Sequence, residues 1–240
     1  MTEKEQLCRI CLLPLDEYSM GEKNGYQLVA CKTCGSVMVK PWIKQADLDK
    51  FFGDIQPEIV HLANPTARIW SLKKLIQKIS PTVSGRRFLD VSCRQGYTVT
   101  AAKELGFQAL GIDSHDFFIA FARDKFNADL FECVSMVEYA TRLAQAEVIF
   151  SIESFCEQAD PDAYMAALSK VLAPGGVLYL QEPDGNHFTL PRNFSRWAFV
   201  DPPLNFVYPS VKGMTALLDR HGFKIHRKLR HGARTVAADC

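Results

Sequence analysis

The sequence contains no long apolar run and almost no net charge. None of its hydrophobic stretches approaches the ~20 continuous apolar residues that a membrane-spanning helix needs, so we expect no membrane span. The opening residues 1–6 are too polar for a signal peptide, which favours a cytoplasmic protein. The formal net charge of +1 provides no overall field to hold a polyanion, so the composition does not favour nucleic acid or a membrane surface as a partner.

One stretch near the C-terminus departs from this balance. It carries five basic side chains, at Lys224, Arg227, Lys228, Arg230 and Arg234. A strip of this kind can contact phosphate, but a solvated face on the last strands is the interpretation that we favour. Nucleic acid is therefore a possible partner that the sequence does not favour.

Cysteine is abundant, and its distribution is informative. Because disulfides do not persist in a reducing compartment, the eight cysteines are expected to be free thiols or metal ligands. Cys8 and Cys11 form one Cys-x-x-Cys pair, Cys31 and Cys34 form a second, and 19 residues separate Cys11 from Cys31. This spacing is typical of a zinc ribbon, in which two tight turns aim four thiolates at one ion. Gly35 follows the second pair, where such a turn often needs a residue that tolerates positive φ.

The predicted Zn²⁺ is structural, since four sulfur ligands leave no open coordination position for chemistry. The ribbon has few apolar residues, so it would depend on the roughly 10–16 kcal/mol that structural zinc supplies. Residues 21–25 are predicted as a turn and residues 26–30 as a strand. Four unrelated cysteines, or a redox pair, are weaker alternatives because both pairs lie in one short segment.

The rest of the 240-residue chain alternates strand and helix. Strands are predicted at 88–91, 109–113, 129–132, 147–151 and 177–182, with a closing pair at 223–229 and 235–238. Helices are predicted at 45–53, from Asn64-Pro65 onward, and at 97–105, 115–126, 134–143, 161–172 and 209–221. This alternation predicts a mainly parallel α/β sheet. We therefore expect a zinc ribbon at 1–42, a helical connector at 43–80 and an α/β domain at 81–240.

The loop after the first predicted α/β strand reads Asp90-Val91-Ser92-Cys93-Arg94-Gln95-Gly96-Tyr97. It opens a helix, where α/β folds place nucleotide ligands, and Asp113 ends the next strand about twenty residues later. These residues resemble the first motif of the class I S-adenosylmethionine-dependent methyltransferases, which typically reads Leu-Asp-Val-Gly-Cys-Gly-x-Gly. The stretch from Ala173 to Leu180 is similar to the Lys-Pro-Gly-Gly turn before the family's fifth strand. The resemblance covers about residues 65–238.

The resemblance implies a Rossmann-like fold with a seven-stranded sheet, and S-adenosylmethionine as cofactor. It places Asp90, Ser92 and Gly96 around the methionine end of the cofactor. It places Asp113 at the ribose, Ser135 and Met136 at the adenine, and Ser151 under the cofactor. Simpler roles are also open: Asp113 as a helix cap, Met136 as a core residue and Ser151 as a strand-end hydroxyl.

The loop departs from the family at two positions that are usually glycine, Ser92 and Arg94. A long Arg94 side chain would have to point outward to leave room for the cofactor. Related sequences also often carry Glu-His after strand four, where this chain has Cys156 and Glu157. We therefore expect Glu157 as the first choice for a general base and His187 as the second, while a solvated or packing role is open for both.

A four-cysteine ribbon before this domain resembles methyltransferases that act on sugars or other small metabolites of envelope and natural-product pathways. It also resembles methyltransferases of ribosomal RNA. A small-molecule acceptor is favoured, because RNA must be held through its phosphates and the net charge is near zero. A degenerate methyltransferase fold that serves as a binding or scaffold protein is a third hypothesis, prompted by Ser92 and Arg94.

Overall fold

The structure is a computed structural model that describes residues 6–54, 64–80, 83–191, 193–231 and 234–238. The chain divides into two compact units. The ribbon unit comprises Met1–Gly53, Glu153–Met165 and Gln181–Ala237. The sheet unit comprises Asp54–Ile152, Ala166–Leu180 and Ala238–Cys240. The boundaries predicted at 42/43 and 80/81 stay predictions.

Strands and helices alternate over residues 87–183. The strands are β1 (Glu17–Lys23), β2 (Tyr26–Cys31), β3 (Val37–Lys40), β4 (Arg87–Val91), β5 (Gln108–Asp113), β6 (Phe131–Cys133), β7 (Ala146–Ile152), β8 (Leu172–Pro183), β9 (Val207–Tyr208), β10 (Arg227–His231) and β11 (Arg234–Ala238). The helices are α1 (Gln45–Asp54), α2 (Pro65–Ile79), α3 (Tyr97–Glu104), α4 (Asp116–Lys125), α5 (Met136–Tyr139), α6 (Pro161–Val171) and α7 (Val211–Arg220). Among the helices described here, none has the length and apolar character that crossing a membrane requires.

The ribbon unit is built on a four-stranded sheet in the order β1-β2-β3-β9. β1 and β2 form a hairpin whose pairing runs to Lys23 opposite Tyr26, so the turn consists of Asn24 and Gly25. The predicted turn over 21–25 is wrong in its first half, because β1 continues through Gly21 with a register shift next to it. Such a shift lets a strand bend without ending. The fourth strand, β9, comes from 170 positions further along the chain and pairs antiparallel with β3, with Val37 opposite Tyr208.

The sheet unit contains the predicted parallel sheet. Its five strands follow the order β6-β5-β4-β7-β8, and β4 pairs in parallel with both β5 and β7. The α/β fold class is thus confirmed, but the predicted seven strands are corrected to five for the parallel sheet. β11 and β10 follow β8 in the strand order. Only two positions separate these last strands in the chain, too few for the crossover that a parallel pair needs.

The core of the sheet unit explains why β4 and β7 form parallel strands. Both are apolar on consecutive residues, as expected for strands that are covered on both faces. Phe88 and Phe150 are 1% and 0% exposed, and their ring centroids lie 5.0 Å apart. Phe107 and Tyr179 extend this aromatic cluster, at 5.7 Å from Phe88 and 4.8 Å from Phe150. Burial of these side chains holds the central strands in register.

Helix ends follow their sequence signals in one case and not in another. The predicted start of α2 is confirmed: Asn64 Oδ1 accepts a hydrogen bond from Ala67 N at 2.9 Å, and Pro65 occupies the first turn. The predicted helix at 134–143 is wrong in length, since α5 covers four residues and a short 3-10 turn follows it. Leu143 adopts φ +58, and this left-handed conformation ends the helical path.

Candidate cofactor loop and cysteine cluster

The loop between β4 and α3 is held by its own backbone. Cys93 N donates to Ile112 O of the neighbouring strand, and Gly96 N donates to Cys93 O, both at 2.9 Å. Three of its residues have left-handed φ values: +57° at Ser92, +47° at Arg94 and +80° at Gly96. The loop therefore has a glycine-like backbone even where the sequence replaces glycine.

Gly96 also satisfies a steric requirement. A Cβ atom at this position would lie 2.6 Å from the ring of Phe131, which is closer than any real contact. Gly96 thus lets the start of α3 approach β6. Its predicted place beside the methionine end of the cofactor stays a prediction.

Asp113 lies at the tip of β5, and its carboxylate binds the loop after β4. Oδ2 accepts a hydrogen bond from Arg94 N at 3.0 Å, and Oδ1 accepts one from His115 N at 3.0 Å. The same Oδ1 lies 3.0 Å from His115 Nδ1, and the Asp113 side chain is only 2% exposed. The carboxylate is therefore fixed in place and almost completely buried in the cofactor-free protein. Asp113 was predicted from the sequence, whereas the role of His115, two residues further along the chain, was not.

The Arg94 side chain lies over α4. Its guanidinium carbon is 5.8 Å from the centroid of the Phe118 ring. Residues 94 and 118 are thus linked by a cation–π contact, a weak interaction of about 0.5–1 kcal/mol at exposed sites.

Asp90 is a second buried carboxylate next to this loop. It pairs with Gly111 on β5 and with Phe150 on β7, and it is 3% exposed. Burial raises the pKa of Asp90 to about 8, a hydrogen bond with Thr98 opposes the increase, and the charge of Asp113 adds to it. The two carboxylates thus lie close enough to influence each other's charge.

The remaining predicted cofactor residues follow the same edge of the sheet. Val134 N donates to Asp113 O at 2.9 Å, so the segment leading to Ser135 and Met136 adjoins the tip of β5. Ser135 Oγ accepts from Glu138 N at 3.2 Å and caps α5, and Met136 is buried. Ser151 is fully buried on β7 opposite Val91. Their roles toward the cofactor stay predictions, and Ser135 has a structural role as well.

The two predicted bases belong to the ribbon unit. Glu157 is half-buried in a short 3-10 turn, Phe155–Glu157, just after β7. His187 Nδ1 lies 2.8 Å from Thr189 Oγ1, and its ring centroid lies 4.6 Å from that of Phe188, a side chain that is 90% exposed. These contacts do not test a catalytic role, so the assignment of Glu157 and His187 as general bases stays a prediction.

The Glu182 carboxyl group, whose structural role was not predicted, holds the turn that carries Glu157. Glu182 is 4% exposed and accepts three backbone hydrogen bonds, from Ser154 N at 3.1 Å, Phe155 N at 2.9 Å and Cys156 N at 3.3 Å. Burial raises the pKa of Glu182 to about 8, against the lowering effect of the Phe155 and Cys156 N–H groups. An acidic residue at the end of an apolar strand was the available signal.

The four N-terminal cysteines form one cluster. Their Sγ atoms all lie within 4.8 Å of one another, with 3.7 Å between Cys8 and Cys34 and 4.0 Å between Cys11 and Cys31. Zinc–sulfur bonds of about 2.3 Å in a tetrahedron require sulfur atoms about 3.8 Å apart, so the donor set fits Zn²⁺. The predicted positive φ at Gly35 is confirmed at +77°.

The pKa values of two neighbouring thiols in the cluster shift in opposite directions. Hydrogen bonds lower the pKa of Cys34 to about 5, first from the Cys8 thiol and then from the Ser36 hydroxyl, while burial opposes the shift. The Cys8 thiol, which donates to Cys34 and is buried, has a raised pKa. Of this pair, Cys34 is therefore the thiol that ionises first.

The fold and the loop define a class of protein, the class I S-adenosylmethionine-dependent methyltransferases. Residues 67–228 match a family described as a methyltransferase domain, so the chain belongs to this family. A solved structure of an S-adenosylmethionine-dependent methyltransferase from Listeria monocytogenes has the same fold. Its TM-score is 0.56 at 17% identity, over 72% of this chain and 97% of that chain.

Two curated relatives are similar in sequence. The chain is 27% identical over 157 residues to a ubiquinone biosynthesis O-methyltransferase of Bordetella avium, which corresponds to 60% of this chain and 63% of the relative. It is 30% identical over 166 residues to a tRNA U34 carboxymethyltransferase of Pseudoalteromonas translucida, which corresponds to 65% of this chain and 49% of the relative. The matches thus span less than two thirds of either relative.

The left-handed loop generates a first prediction. Ser92→Gly is expected to raise the free energy of unfolding by about 1 kcal/mol, because glycine adopts φ +57° without the strain of a side chain, roughly 1–2 kcal/mol. Urea denaturation of the cofactor-free protein measures the change. Ser92→Ala is the matched control and should give no gain. A Ser92→Gly variant that is less stable than the wild type would contradict the inference that the backbone at Ser92 is strained.

Asp90 generates a second prediction, on pH. Its folded-state pKa of about 8 lies above the ordinary 3.8, so its contribution to stability is complete below about pH 4 and is lost as the pH rises toward 8. Asp90→Asn should therefore lose less stability than the wild type between about pH 5 and pH 8. Urea titrations at both pH values test this, with the exposed Asp124→Asn as control. If Asp90→Asn and the wild type lost equal amounts of stability between the two pH values, the raised pKa of Asp90 would be disproved.

Proposed function

We propose that this protein transfers a methyl group from S-adenosylmethionine to a small-molecule acceptor, a sugar or another metabolite of an envelope or natural-product pathway. The observation that carries the proposal is the Asp113 carboxylate, fixed at the tip of β5 by Arg94 N and His115 N. A carboxylate at this position can accept hydrogen bonds from ribose hydroxyls. Oδ2 accepts a single described bond and keeps capacity for another.

The residues of this chain would mainly bind and orient the reactants. S-adenosylmethionine, when bound, supplies the methyl group on its sulfonium, and transfer is an in-line displacement that depends on positioning. Asp113 would hold the ribose, and Met136, which is buried, would contact the adenine. If the acceptor is a hydroxyl group, Glu157 would take its proton, with His187 as the second choice.

Support for a small acceptor comes from the relatives and from charge. The Bordetella avium relative carries the name of an enzyme of ubiquinone biosynthesis. The net charge of +1 gives no general attraction for a polyanion. Both observations favour a small molecule.

Calorimetry with S-adenosylmethionine tests the proposal. Wild-type, zinc-loaded protein is expected to bind with micromolar affinity, and Asp113→Ala should weaken binding about 10- to 100-fold, since each lost hydrogen bond to a charged group removes roughly 1.5–3 kcal/mol. The exposed Asp124→Ala is the control, and circular dichroism checks that both variants fold. Folded wild type that binds no cofactor would overturn the proposal and support a scaffold protein.

An RNA acceptor is the second candidate, because one relative carries the name of a tRNA-modifying enzyme. Lys224, Arg227 and Lys228 are exposed and line an open cleft of about 900 Å³ beside α7. The side chains of Arg230 and Arg234, also predicted in this strip, lie outside the described part of the chain. Contacts to phosphates would make binding of a tRNA probe weaken steeply with salt, whereas a small acceptor predicts no such binding.

We also propose that the four cysteines bind one structural Zn²⁺. The compact sulfur cluster and the burial of Cys8, Cys31 and Cys34 support it. Four thiolates leave no position for substrate, so the ion would stabilise the ribbon unit without taking part in methyl transfer.

Metal analysis tests the zinc proposal. Purified protein is expected to contain about one zinc per chain, and Cys11→Ser should lose most of it, because a hydroxyl is a poor ligand for this site. The thermal midpoint should fall in parallel. Cys133→Ser, which changes an exposed cysteine elsewhere, is the matched control and should keep the metal. Zinc content that is unchanged in Cys11→Ser would refute the assignment.

A further inference from the structure

The turn that carries Glu157 depends on residues outside itself. We define the acceptor-side turn as residues 153–159, which directly follow β7. Its first residue, Glu153, has φ +55°, a conformation that side chains rarely adopt without support. The Glu182 carboxyl group accepts hydrogen bonds from the backbone N–H groups of residues 154–156 of this turn. The turn therefore needs several external contacts to keep one conformation.

A residue between the two cysteines of the first pair supplies one of these contacts. Arg9, which lies between Cys8 and Cys11, donates from Nη1 to Ala159 O at the end of the turn, and lies 3.5 Å from Ile43 O. Its guanidinium carbon is 4.8 Å from the centroid of the Trp42 ring. The ring limits the directions that the guanidinium can take and so favours the position from which Arg9 contacts Ala159.

The backbone beside Arg9 is fixed to the helix that follows the turn. Arg220 Nη2 donates to Ile10 O at 3.1 Å, and Arg220 Nε donates to Asp162 Oδ1 at 3.0 Å in the first turn of α6. His221 Nε2 lies 2.9 Å from the same Oδ1. The position of the cysteine pair is thus linked to the start of α6, just beyond the acceptor-side turn.

A second route runs through the ribbon sheet. Val39 N on β3 donates to Phe206 O at 3.0 Å, and Phe206 N donates to Cys156 O at 3.0 Å. The Cys156 thiol donates to Asn205 Oδ1 at 3.2 Å. Two independent sets of hydrogen bonds therefore connect the ribbon unit's N-terminal part to the acceptor-side turn, one at Ala159 and one at Cys156.

We propose that the cysteine cluster positions the acceptor-side turn, with Arg9 as the positioning residue, and leaves the cofactor loop unaffected. The bonds described for the cofactor loop all lie within the sheet unit, on Asp113, Ile112 and Cys93. A metal ion bound at the cysteines would thus hold the turn at Cys156 and Ala159, which flank Glu157, while cofactor affinity stays constant. The inference rests on the proposed function only in assigning the turn to the acceptor.

Hydrogen exchange of the full, zinc-loaded chain, followed by mass spectrometry, tests the positioning. Arg9→Ala is expected to speed exchange in peptides covering 153–159 about tenfold, because the turn loses a charge-assisted bond. Exchange over 88–113 and zinc content should stay within twofold of the wild type. Arg9→Lys should recover part of the protection, and Lys32→Ala, an exposed ribbon lysine paired with Asp16, should change nothing.

The second part of the experiment removes the metal with a chelator and then reloads the protein with zinc. Metal removal should raise exchange over 153–159 reversibly while calorimetry shows unchanged S-adenosylmethionine binding. Unchanged exchange in this turn, in both the Arg9→Ala and the zinc-free protein, would overturn the proposal. An equal increase over 88–113 would overturn it as well, since that indicates general unfolding. A wild type without cofactor binding would refute the proposed function alone, because the exchange comparison still decides the positioning.

Discussion

The structure depends on buried carboxylates that bind backbone N–H groups at the ends of strands. In the sheet unit, Asp113 accepts hydrogen bonds from Arg94 N and His115 N and thereby fixes the loop after β4. An isolated buried carboxylate would be very unfavourable, so these bonds both offset its burial and order the chain. The loop conformation is held even though Ser92 and Arg94 have replaced flexible glycine.

In the ribbon unit, Glu182 likewise binds backbone N–H groups at the end of a strand. Three consecutive N–H groups, from Ser154 to Cys156, donate hydrogen bonds to its carboxyl oxygens. Because the side chain comes from the end of β8 and the turn follows β7, one interaction ties two strand ends together. The turn with Glu157 is therefore a structural consequence of Glu182, and the cysteine cluster adds its contacts to an arrangement that is already partly fixed.

Much of the cofactor region was predictable because its signals are local. The loop from Asp90 to Gly96, Asp113 and the glycine turn before β8 occur at spacings that a parallel α/β sheet requires. The cysteine cluster was predictable for a similar reason, since two Cys-x-x-Cys pairs in one short segment are typical of four cysteines that lie together. The structural roles of His115 and Glu182 were not predicted, because a histidine or glutamate near a strand end has no pattern of its own and gains its role only through its partners. The α5 helix was overestimated since helix propensity does not reveal a left-handed residue such as Leu143.

The amino-acid sequence by itself determined the α/β class, the cysteine quartet and the likeness to methyltransferases, all of which follow from short-range spacing and hydrophobic periodicity. Only the tertiary structure decided that β9 joins the ribbon sheet, that Glu182 holds the turn after β7, and that Arg9 reaches Ala159. The separations along the chain run from 26 positions, between Cys156 and Glu182, to 171 positions, between Val37 and Tyr208 (208 − 37). Pairings over such distances depend on how the whole chain packs, and no local pattern encodes them.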